Sequence, residues 1–122
     1  MKKIYTLLLM SVFALGMTNA QDIFFSEYIE GAGGNKKALE IYNPTGAAID
    51  LGDYRVAYAN NGKGWSSYHT FPDATSLADD DVYVIVADED YTGFFDVAEA
   101  DEVLSYPSIV HFNGDDALAI IY

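Results

Sequence analysis

Beyond residue 21 the apolar positions follow a period of two. Leu39 and Ile41 face one way and Glu40 and Tyr42 the other, which predicts a half-buried strand over 38–42. Residues 23–29 concentrate β-branched and aromatic side chains and read as a strand. The loop of Gly31-Ala32-Gly33-Gly34-Asn35 separates the two. After Asn43, Pro44 and Gly46 suit a type I turn. Ile49 and Leu51 flank Asp50 in a short strand that Gly52 breaks, and Tyr54, Val56 and Tyr58 share one face of the next. Asn60-Asn61-Gly62 tolerates the positive φ angles of a tight hairpin, which turns the chain back through 65–71. The unbroken apolar run over 82–87 predicts a central strand buried on both sides. A second tight hairpin at Asn113-Gly114 joins strands predicted over 109–112 and 117–122. Only 88–102 lacks β character; there Phe94, Phe95, Val97 and Ala98 predict a short helix near 93–100, with Thr92 as its N-cap.

The sum is an all-β chain of about seven strands with turns every 8–12 residues, the grammar of a β-sandwich. Its expected core is Phe25, Leu39, Ile41, Leu51, Val56, Phe71, Val84, Val86, Phe112, Leu118 and Ile120. The first 20 residues have a different pattern. Lys2 and Lys3 precede a 14-residue apolar run over 4–17, and Thr18-Asn19-Ala20 offers small residues at a cleavage site. That is a secretory signal peptide, too short for the roughly 20 residues that cross a bilayer. The expected address is outside the cytoplasm, in the periplasm, on the cell surface or in the medium. The mature domain then spans 21–122 without a transmembrane segment. Its last strand ends at Tyr122 with no polar cap, so the expectation is a domain truncated at its C-terminal end.

Charge narrows the partners. The chain has 6 basic and 19 acidic residues; without Lys2 and Lys3 the balance is 4 against 19, a net charge of −15. Nucleic-acid binding needs a basic footprint, and four scattered cations do not make one. The absence of cysteine excludes a disulfide scaffold, a thiolate zinc site and a cysteine nucleophile.

Few residues offer chemistry. Glu27 and Glu40 lie on neighbouring predicted strands, where two carboxylates can work as acid and base on a sugar; solvated or backbone-bonded carboxylates are the expected reading. His69 and His111 lack both a G-x-S-x-G elbow and an H-x-x-x-H spacing, and His111 is expected to face solvent. Residues 88–99 can be aligned with a 12-residue calcium loop: Asp88, Asp90 and Thr92 at positions 1, 3 and 5, Gly93 at 6, Asp96 at 9 and Glu99 at 12. A strand enters this loop where an EF-hand has a helix, and Thr92 stands where Asp or Asn is preferred. Asp115 is expected to finish a turn and Asp116 to charge a sheet edge. Trp65, Tyr58 and Tyr68 cluster around the first hairpin, placed to stack on a sugar or dock a partner.

Several segments together resemble the lamin tail domain family: Phe25-Ser26-Glu27-Tyr28, Leu39-Glu40-Ile41-Tyr42-Asn43-Pro44, Ile49-Asp50-Leu51-Gly52-Asp53-Tyr54, Phe71-Pro72, Ser76-Leu77 leading into the 82–87 strand, and Phe112-Asn113-Gly114-Asp115-Asp116-Ala117. The resemblance runs over 23–122 and implies an immunoglobulin-like β-sandwich. It implies a non-catalytic module, with no catalytic residue and no cofactor, that in bacteria forms part of secreted or surface proteins. The expected function is binding or scaffolding of a protein or surface partner, or of a neighbouring domain of the same chain. One alternative is the accessory domain of a larger secreted nuclease or phosphoesterase. A second is an adhesion domain stabilised by Ca²⁺ at Asp88, Asp90, Thr92, Asp96 and Glu99. The family pattern continues past the 117–122 strand with a further strand, which agrees with the expected truncation.

Overall fold

A computed structural model describes residues 22–122. The signal peptide expected over 1–20 lies outside the described residues. Alternation along the second strand organises the rest. In β2 (Lys37–Tyr42), Leu39 and Ile41 are fully buried on one face while Glu40 and Tyr42 are half-buried on the other. Antiparallel pairing with β1 (Phe24–Glu30) places Tyr28 beside Leu39 and Glu27 beside Glu40, after a bulge between Phe25 and Glu27.

Seven further strands follow: β3 (Ile49–Asp50), β4 (Arg55–Ala59), β5 (Ser67–Thr70), β6 (Ser76–Leu77), β7 (Val82–Ala87), β8 (Glu102–Leu104) and β9 (Ala117–Ile121). One sheet has the order β1-β2-β7-β8, a second β5-β4-β9, and β3 pairs with β6. All pairings are antiparallel except β7 with β8. The inner face of the four-stranded sheet contributes Leu39, Ile41, Tyr83, Ile85 and Ala87 to the core. Val56 of β4 meets them from the other sheet, with Leu51, Phe71 and Leu77 closing the sides. The architecture is an all-β, immunoglobulin-like sandwich, as the alternation predicts.

Burial differs from expectation where packing overrides pattern. Val84 belongs to the outer face of β7, opposite Glu40, and is half-buried. Phe25, Leu118 and Ile120 pack on the core from half-buried positions, since β1 and β9 are sheet edges. Residues 109–112 form no strand. His111 N–H closes a turn onto the Ser108 carbonyl at 3.1 Å, and the segment drops Ile109, Val110 and Phe112 into the core as a plug. The turn at Asn113-Gly114 therefore joins this plug to β9, and no hairpin forms there. The first hairpin does form, but its loop runs from Asn60 to Ser66, with Asn61 at φ 53° and Gly62 at φ 64°.

The helix expected near 93–100 is also absent; in its place stands only a 3₁₀ turn at Val97–Glu99. Its N-cap is Asp96, whose side chain accepts from Ala98 N–H, and not Thr92. The apolar residues of this stretch are claimed by the sheet. Tyr91, Phe95, Val97 and Ala100 pack with Val86, Ala38 and Ile29 on the outer face of the four-stranded sheet, a second small core. Gly93, at φ 77°, turns the chain between Tyr91 and Phe95 so that both rings can reach it.

Candidate functional site

The outer face of the four-stranded sheet is laid out in rows by its register. One row is Ile29, Ala38 and Val86; the next is Glu27, Glu40 and Val84; beyond it stand Phe24, Tyr42 and Val82. The 88–101 segment covers the first row. It is pinned by Tyr91, which is buried and whose hydroxyl donates to the Lys37 carbonyl at 2.8 Å and accepts from the Lys37 N–H at 3.1 Å. Burial pushes the Tyr91 hydroxyl above its ordinary value, against the pull of these backbone contacts.

Where this cover ends, a groove of about 290 Å³ opens. Ile29, Ala38 and Val84 form its floor, and Phe94 and Phe95 form a wall. Glu27, Glu40 and Glu99 stand around it. Phe94 is 58% exposed, so its ring is open to solvent at the groove. Glu27 and Glu40, which two adjacent predicted strands could bring together, are direct cross-strand partners. Like charges at such a position cost stability. Glu40 accepts a 2.7 Å hydrogen bond from the Ser26 hydroxyl, which the bulge brings alongside. Among the described residues none of the three glutamates has a cationic partner; Lys37 pairs with Glu30, and His69 Nε2 lies 3.0 Å from Glu102.

The other residues singled out in the sequence are dispersed. Asp88 accepts from the Ser105 hydroxyl, Asp90 from the N–H and hydroxyl of Thr92, and Asp96 from Ala98 N–H. The contacts to Thr92 hold the Asp90 carboxyl below its ordinary value. Glu99 faces the glutamate groove. Among the described residues no three His, Asp or Glu side chains converge as a metal ion requires.

The two histidines divide the partners a triad would need. Ser108 Oγ lies 2.8 Å from His111 Nδ1, whereas Glu102 lies 3.0 Å from His69 Nε2. A nucleophile–base–acid relay requires both partners on one imidazole. His69 and Glu102 instead join β5 of one sheet to β8 of the other. His111 is half-buried against Ser108, where exposure was expected. Trp65 and Tyr68 are about half exposed, with the Arg55 guanidinium 5.5 Å from the Tyr68 ring. Tyr58 donates to Asp116 at 2.8 Å and is half-buried. Asp116 also accepts from the N–H groups of Asn61 and Asn113, so it locks two turns together.

A family model described as the Lamin Tail Domain matches residues 17–121. The chain belongs to the lamin tail domain family. None of the curated proteins compared with it matches the sequence. Lamin tail domains are non-catalytic, immunoglobulin-like modules of protein interaction. Among the described residues of this lamin tail domain, no helix is long and apolar enough to cross a membrane.

Sequence reasoning missed Phe94 and Phe95 as groove residues because their spacing also fits a helix face. It missed Tyr91 and the His69–Glu102 pair because both depend on contacts across long separations. The one available signal was compositional: adjacent phenylalanines in an acidic, glycine-containing stretch with no strand of their own.

Proposed function

We propose that this lamin tail domain is a non-catalytic docking module of an exported protein, and that the outer face of its four-stranded sheet is where a protein partner sits. The observation that carries the reading is the pair Glu27 and Glu40. Two carboxylates with no cationic partner among the described residues are direct cross-strand neighbours beside an exposed phenylalanine, an arrangement of like charges that costs the fold stability. The apolar side chains of the groove are contiguous and rimmed by carboxylates, which is the make-up of an interaction patch. The apolar run over 4–17 behind Lys2 and Lys3 supports export, with the periplasm, cell surface or medium as destination.

Two experiments test this. A photo-crosslinking residue at Phe94, in cells exporting the whole chain, is expected to give a discrete adduct, and the same residue at exposed Asp73 none. Equal adducts at both positions, or none at Phe94, would overturn the docking face. Mass spectrometry of the exported protein is expected to find Gln21 at its N-terminus. Retention of Met1 to Ala20 on a cytoplasmic product would overturn export.

A further inference from the structure

We infer that the glutamate groove receives an arginine side chain, carried on an extended basic segment of the partner protein. The inference rests on the docking reading above and names the chemistry of its partner.

Size sets the first limit. Pockets that enclose a drug-sized ligand run from about 300 to 1,000 Å³. At about 290 Å³ this groove lies at the lower edge of that range and has room for a long side chain. Character sets the second. Its floor and wall are apolar and its rim carries three carboxylates, so the matching group has an aliphatic stem and a cationic head. A metal ion is the wrong cation, because the carboxylates surround a groove and do not converge on a point.

Charge complementarity is unspent at this place. Glu27, Glu40 and Glu99 have no cationic partner among the described residues, and the four cations of 22–122 are Lys36, Lys37, Arg55 and Lys63. Lys37 is already paired with Glu30 at 2.7 Å. The net charge of −15 over 22–122 steers basic segments toward the whole surface, and the groove supplies the specific contact.

Arginine is favoured over lysine by the phenylalanine wall. A guanidinium is planar and weakly hydrated, stacks on aromatic faces and can bridge carboxylates with its forked donors. An ammonium is more strongly hydrated and makes no planar stack.

The test is an NMR titration of the whole, isotopically labelled chain with capped Gly-Gly-Arg-Gly-Gly, and with the same peptide carrying Lys or Gln. With arginine, saturable shifts are expected at Ile29, Ala38, Val84, Phe94 and Phe95. The lysine peptide is expected to bind at least threefold more weakly, and the glutamine peptide not at all. Phe94→Ser, at an exposed ring, is expected to weaken arginine binding at least fivefold, as is Glu40→Gln with Glu99→Gln. Asp53→Asn with Asp73→Asn removes the same charge elsewhere and is expected to leave affinity within twofold. Equal weakening in that control, no effect of Phe94→Ser, or lysine binding as tight as arginine would each overturn the inference. A partner adduct at Phe94 without peptide binding would leave the docking reading in place and remove only the arginine.

Discussion

Asn43 is fully buried where β2 ends, and its amide holds three stretches of chain. Nδ2 donates to the carbonyls of Ala47, Leu77 and Ala78 at 2.9 to 3.0 Å, and Oδ1 accepts from the N–H and hydroxyl of Thr45. Asn43→Ala leaves these groups without partners and is expected to cost about 3 kcal/mol or more. Asn43→Asp keeps the shape but sets a carboxylate oxygen against three carbonyls, so it is expected to cost more than alanine. Urea denaturation of both variants checks the order. A mild aspartate variant would mean that the amide is not the hub. This role was legible in outline, since Asn before Pro is a turn signal that bonds backbone. The two long-range acceptors were not, because no local rule says which carbonyls β6 and the following loop bring to Asn43.

At the scale of elements, the strands whose sequence alternates or is continuously apolar stand where their pattern puts them. The failures have a common cause. Residues 93–100 and 109–112 carry apolar side chains at spacings that fit a helix and a strand, but those side chains serve tertiary sites. One set caps the outer face of a sheet and the other plugs the gap between sheets. Tertiary demand overrides a short local pattern.

The covering segment depends on Tyr91. Removing its hydroxyl frees both polar backbone groups of Lys37, and Tyr91→Phe is expected to cost about 1–3 kcal/mol. Amides of 88–101 should then exchange faster than those of β2 and β7, which hydrogen exchange would read. Unchanged exchange would show that the apolar contacts alone hold the segment. The glutamate row predicts the opposite sign. Glu27→Gln removes a like-charge pair across β1 and β2, so it is expected to stabilise the fold by about 0.2–1 kcal/mol. A destabilised variant would show that Glu27 serves the fold, and the argument for a binding role would lose its footing. That the two residues could meet was legible from two adjacent predicted strands; that they do so depends on the bulge between Phe25 and Glu27, which the sequence does not announce.

The whole molecule carries its charge unevenly in pH. Tyr83, buried and beside Glu102, has its hydroxyl pushed up to about 12 by desolvation and by that carboxylate. A raised tyrosine contributes stability that is complete below the unfolded value of 10.0 and is lost as pH climbs toward about 12. Asp116 has the opposite sense. Burial raises its carboxyl, but Asn61 N–H, the Tyr58 hydroxyl, Asn113 N–H and Lys37 outweigh this and hold it below 3.8. Its contribution is present above the unfolded value and drains away as pH falls through the lower folded one. Acidification also neutralises carboxylates over 22–122, which carry 19 acidic against 4 basic residues, and so relieves repulsion, which runs against the loss from Asp116. Differences between wild type and variant separate the two. Tyr83→Phe is expected to flatten the fall in urea midpoint between pH 10 and about 12. Asp116→Asn is expected to lower stability near neutrality and to converge with wild type at acid pH. Its repulsion is almost that of wild type, so only the bonds locking the two turns differ. Parallel acid profiles would mean that those bonds contribute equally in both protonation states, and that the turns are held by their backbone alone.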